Sequence, residues 1–158
     1  MKARELRETL GLIAVVASLV FVGLEIRQNT AAVRSTAFQS LSELLQQSTA
    51  LLAEGPGPEL TLRLRGGALP EDFTPGEDQW VRLAYFQHIN LLQAAYRQVQ
   101  VGVLDEDVFD VFWTGLLSLD YIAAAWPSMR YSYEPEFAAF FEELLVSVPQ
   151  SRAPRAAR

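Results

Sequence analysis

The sequence predicts an all-α protein: an N-terminal transmembrane helix continuing into a long amphipathic helix, followed by a small antiparallel helical bundle. Three observations carry this. Thr9 to Leu24 form a run of sixteen residues without a charge. Beyond it, neither Pro nor Gly interrupts the chain between Glu25 and Ala53, while apolar residues return at spacings of three and four. The rest of the chain is punctuated by prolines and acidic residues in the places where helices start and by glycines where they stop.

The uncharged run lies between Glu8 and Glu25. At ~1.5 Å per residue it covers ~24 Å, a little short of a ~30 Å hydrocarbon core, and snorkelling of Arg7 and Arg27 or local thinning closes the gap. A signal peptide and a buried core helix are the competing readings. The first needs a small-x-small cleavage site, and only VGL and EIR follow the run. The second needs a polar stripe, and Thr9, Gly11, Ser18 and Gly23 are the only relief. Length and the missing stripe favour a single-pass anchor over residues 1–26.

Residues 27–149 then form the helical domain. Phe38, Leu41, Leu45, Ser48 and Leu52 lie on one face of the first helix, and Asn29-Thr30 is the point where a bend is expected. The segment from Glu54 to Asp78 is the connector, rich in Gly and Pro. Within it Pro58 to Arg65 reads as one or two helical turns opened by Pro58 and closed by Gly66. Thr74, Pro75 and Glu77 make a capping box with proline at the first helical position. The helix they open carries Val81, Tyr85, His88, Leu92, Tyr96 and Val99 as a stripe, widened by Trp80, Leu83, Phe86 and Leu91, and ends at Gly102. A third helix is expected from Asp105 to Trp126-Pro127, and a fourth from Pro135 through Phe137, Phe140, Phe141, Leu144 and Leu145. Residues 150–158 form a basic, flexible tail.

Composition excludes much chemistry. The chain has no Cys and one His, so disulfides, thiolate metal sites and two-histidine metal sites are ruled out. Residues 9–150 hold 7 basic and 17 acidic residues, which argues against a nucleic-acid partner. Gly66-Gly67 lacks the spacing and the lysine of a phosphate loop.

Candidate sites remain. His88, inside an apolar stripe, suits either a haem or pigment ligand and base, or a core histidine hydrogen-bonded to a neighbour; with no second ligand or cofactor motif the core role is expected, and no cofactor. Asp105, Asp107 and Asp110, with Glu106, offer oxygen ligands for Mg²⁺ or Ca²⁺ but lack EF-hand spacing, and capping of the next helix explains them. Glu142 and Glu143 point about 100° apart and read as a solvated face. Trp80, Trp113 and Trp126 fall on faces the core already needs. Gly11, Ala14, Ala17 and Ser18 are small enough for close approach of a second span, and Arg27, Gln28 and Asn29 form a polar collar able to meet lipid phosphate.

The run VVASLVFVGLEIRQNTAAVR, the stretch PGPELTLRLRGG, the segment AAYRQVQVGVLDEDVF and the closing YSYEPEFAAFFEELL together resemble an uncharacterised group of bacterial single-span proteins. These have an IRQNT-like motif after the apolar segment and a small helical domain, and the resemblance brings no reaction with it. It implies the bacterial inner (cytoplasmic) membrane with the domain in the cytoplasm. Lys2, Arg4 and Arg7, set against Arg27 and Arg34, point the other way by one charge. The expected function is that of a binding or structural accessory subunit of a larger membrane protein complex, since no catalytic constellation is visible. The rival is a membrane-tethered small-ligand sensor or enzyme with a pocket around His88 and the tryptophans.

Overall fold

The computed structural model describes residues 2–148, with side chains from Leu10 onward. The basic tail of residues 150–158 lies outside the described residues. Six α-helices and two 3-10 turns make up the fold, and no strand occurs among the described residues. The chain divides into two compact units, Met1–Gln39 and Ser40–Arg158.

The described residues of the first unit are all helical and make up the larger part of α1 (Lys2–Leu51). The helix passes Asn29-Thr30 without a break. Thr30 Oγ1 donates to the Ile26 carbonyl at 2.9 Å and Thr36 Oγ1 to that of Ala32 at 3.0 Å. The hydroxyls thus stay on their own helix instead of opening it. Eleven large apolar side chains between Leu10 and Ile26 are exposed. One helix, Leu10–Leu51, is long and apolar enough to cross a membrane, and none of its most apolar window is buried.

The second unit begins with the last turns of α1, where Leu41, Leu45 and Ser48 are buried and Leu52 just beyond is half-buried, while Phe38, still in the first unit, is exposed. A turn through Gly55 leads to α2 (Gly57–Arg65). Gly57 is required by close approach, because a Cβ there would stand 2.3 Å from the Leu52 carbonyl oxygen. Leu60 and Leu64 point inward, four residues apart on one face. After a 3-10 turn at Pro70–Asp72, α3 (Pro75–Gln100) starts on the capping box: Glu77 Oε2 accepts from the Thr74 amide at 2.7 Å. At its end the Val103 amide reaches the Gln98 carbonyl and the Gly102 amide that of Val99, with Gly102 at φ +73°. This pair of bonds demands a left-handed residue, which glycine supplies without strain.

The expected single helix from Asp105 to Trp126 is two helices. Asp105 to Asp107 form a turn, and α4 (Val108–Leu117) begins after an Asp107 whose side chain makes no cap bond. The chain then bends by 96° before α5 (Asp120–Met129). At the break Leu119 is extended, at ψ 121°. The burial pattern gives the reason: Leu116, Leu117, Leu119, Tyr121 and Ile122 are all buried, more than one face of a straight helix can hide. Gly115 and Ser118, poor helix formers, lower the cost of the break. Pro127 does not end α5, which runs on to Met129 before the 3-10 turn Arg130–Ser132. A proline so near the end removes one backbone bond, and the flanking Trp126 and Met129 are buried.

Last comes α6 (Pro135–Ser147), opened by proline as expected. Its Phe137 and Phe141 are fully buried and meet Trp126 and Tyr133, with ring centroids 4.2 Å apart for Trp126–Phe141 and 5.5 Å for Tyr133–Phe137. Phe140 stacks against Tyr96 and Phe109, joining α6 to α3 and α4. Aromatic pairs of this kind add to the area they bury.

Candidate functional site

His88 lies at the centre of the second unit and is 8% exposed. The Ala84 carbonyl, 3.0 Å from its Nδ1, can only accept, so we assign the ring proton to Nδ1. That leaves Nε2 as acceptor for the Ser48 hydroxyl, whose oxygen lies 3.4 Å from Nε2 and 3.1 Å from Nδ1. The backbone carbonyl of His88 also accepts from Trp113 Nε1 at 3.2 Å. One residue of α3 therefore ties down the end of α1 and the middle of α4.

Beside His88 opens a cavity of about 460 Å³. Its walls come from the end of α1 (Thr49) and Leu52 just beyond it, α2 (Thr61, Arg65), α3 (Tyr85, His88), α4 (Phe112, Leu116) and the break at Ser118-Leu119. Burial pushes the Tyr85 hydroxyl above its usual pKa, against the opposing pull of the Arg65 charge and the Thr61 hydroxyl. Thr61 Oγ1 is near enough to influence Tyr85 but makes no hydrogen bond of proper geometry, and it is buried without a partner. Thr61, Arg65 and Tyr85 were not among the candidates read from the sequence. The available signal was the four-residue spacing of Thr61 and Arg65 on one short helix.

The tryptophans lie elsewhere. Trp113 and Trp126 are core residues, and Trp126 Nε1 donates to Glu142 Oε1 at 3.1 Å. Glu142 also pairs with Arg130 at 3.0 Å, so it binds two partners rather than forming a solvated face with Glu143. Trp80 lines a separate groove with Pro56, Leu83 and Phe86. Asp105, Asp107 and Asp110 are exposed on the turn before α4 and its first turn, and no group of three metal-ligating side chains occurs among the described residues. Gly11, Ala14, Ala17, Ser18, Arg27, Gln28 and Asn29 are all exposed on the first unit, and nothing stands within 4 Å of a Cβ built at Gly11.

A second polar cluster joins α3 to α5. Tyr121 donates to Asp78 Oδ1 at 2.5 Å, while Arg82 Nε meets Asp78 Oδ2 at 2.7 Å and Arg82 also reaches Ser128 at 2.8 Å. Burial works to raise the Asp78 pKa, but the Tyr121 and Arg82 hydrogen bonds outweigh it and hold the carboxyl below its usual range. Tyr121 shifts upward, first through burial and then through the neighbouring carboxylate. Asp78, Tyr121 and Arg82 satisfy one another, and Ser128 accepts from Arg82 while donating to the Ala125 carbonyl, as in a structural cluster.

Comparison with protein families, with curated proteins and with solved structures gives no match.

Proposed function

We propose that the chain is a membrane-anchored helical protein, an accessory subunit that docks onto a larger protein assembly in the bacterial inner membrane with its body on the cytoplasmic side. One observation carries the reading: eleven large apolar side chains from Leu10 to Ile26 are exposed on a single helix, with no protein around them. A contiguous apolar surface of this size marks contact with lipid or with another protein. The face of Gly11, Ala14, Ala17 and Ser18 suits a neighbouring span, since small residues let helix backbones approach. Arg27, Gln28 and Asn29 follow where the headgroups would lie. The polar groups buried around His88 and Asp78 serve the fold, which supports a binding role over catalysis.

The test is purification of the full chain from membranes in mild detergent. A stoichiometric complex with other membrane proteins is the expected result. A monomer without partners, or a chain recovered in the soluble fraction, overturns the reading.

A further inference from the structure

The cavity beside His88 has the size of a small-molecule site, ~300–1,000 Å³ being usual, and it contains a charge without a counter-charge. Of the arginines in the second unit, Arg63 faces Glu77, Arg82 faces Asp78, Arg97 faces Glu134 and Arg130 faces Glu142. Arg65 alone pairs with no carboxylate among the described residues, and it lines the cavity. In a body so rich in acidic residues an unpaired guanidinium is not the result of a shortage of partners. One turn before it on α2, Thr61 Oγ1 lines the same cavity and is buried with no hydrogen-bond partner. Leu52, Phe112, Leu116 and Leu119 supply an apolar part of the wall, and Thr49, Tyr85, His88 and Ser118 add polar groups to the rest.

We infer that this cavity binds a small carboxylic acid, with the carboxylate held by Arg65 and the Thr61 hydroxyl and the apolar body lodged against Phe112 and Leu116. Arginine and a hydroxyl are the donors that suit a carboxylate, and the charge assists both hydrogen bonds. A heavily hydrated anion such as inorganic phosphate has no apolar part to cover these walls. The His88 ring nitrogens already face Ser48 and the Ala84 carbonyl, so the ligand's charge is assigned to Arg65 and Thr61 and not to His88. This site stands apart from the anchoring role and does not depend on it.

Calorimetry on the full chain in nanodiscs of zwitterionic lipid, with empty nanodiscs as reference, tests the inference using phenylacetate, hexanoate, phenylacetamide and inorganic phosphate. Saturable one-to-one binding of phenylacetate or hexanoate is expected, with phenylacetamide and phosphate at least tenfold weaker. Arg65→Gln should weaken carboxylate binding at least tenfold and Thr61→Val severalfold. Because Arg65 is an exposed residue at the end of a helix, Arg65→Gln should leave the circular dichroism spectrum unchanged. Absence of saturable carboxylate binding, equal affinity for the amide or for phosphate, or binding unaffected by Arg65→Gln overturns the assignment.

Discussion

The same helix, α1, is treated in opposite ways at its two ends. Between Leu10 and Ile26 large apolar side chains are 46–67% exposed, whereas Leu41, Leu45 and Ser48 are buried among the other helices of the second unit. Composition explains the contrast. The first stretch is apolar on every side and offers no stripe to fold around; the second gathers Leu41, Leu45 and Ser48 on one buried face and leaves Glu43, Gln46 and Gln47 outward, with Leu44 and Leu51 exposed beside them. The two ends of one helix thus differ in what they can bury: uniform apolarity has the composition of a membrane span, and amphipathicity suits a protein core.

The sharpest way to break the comparison is truncation. Removal of residues 1–39 should move the protein wholly from the membrane to the soluble fraction while the remaining helices keep their circular dichroism. An unfolded truncated chain would show that the exposed stretch serves as core.

Paired substitutions come next. Trp113→Ala, in the core of the second unit, should cost about 3–5 kcal/mol, whereas Leu19→Ala on the exposed stretch should leave the melting temperature of the body unchanged. Equal effects in thermal denaturation would remove the distinction between the units. Gly57→Ala tests backbone packing rather than side-chain burial. Its Cβ would run into the Leu52 carbonyl, so a loss of about 1–3 kcal/mol is expected in urea unfolding, where an ordinary exposed Gly→Ala change is neutral or favourable.

His88→Ala should cost about 1–3 kcal/mol through the orphaned Ser48 hydroxyl and the lost packing, and should remove no visible absorbance from the purified protein. Loss of an absorption band would identify a bound pigment. The smallest effect concerns acid. The Asp78 carboxyl is held below its ordinary value of 3.8, so its stabilising contribution is fully present above about that pH and is lost as pH falls through the lower folded value. Asp78→Asn should therefore flatten the acid limb of a stability profile without altering its shape near neutrality.

Much of this was legible in the sequence because helix ends are written locally. Thr74, Pro75 and Glu77 announce α3, Gly102 closes it and Pro135 opens α6, each through bonds that span no more than five residues. The break between α4 and α5 was not legible: neither proline nor glycine stands at Leu119, and the bend follows from the number of apolar residues that must be hidden together. Pro127 misled for the converse reason, since tertiary burial of its neighbours outweighs one missing hydrogen bond. The candidate site was half legible. His88 was visible as a lone imidazole in an apolar stripe, but Ser48, Thr61, Arg65 and Phe112 reach it from three other helices at separations that carry no motif.

The bond between Ser48 and His88 also orders events in time. These residues are 40 positions apart, whereas Trp126 and Glu142 are separated by 16. At a synthesis rate of roughly 5–20 residues per second, the apolar face of Leu41, Leu45 and Ser48 leaves the ribosome seconds before its acceptor on α3 exists. During that interval the nascent chain presents a bare amphipathic helix directly behind an apolar one, so that in the membrane-anchored reading proposed above the apolar stretch would meet lipid before the amphipathic turns meet their own core.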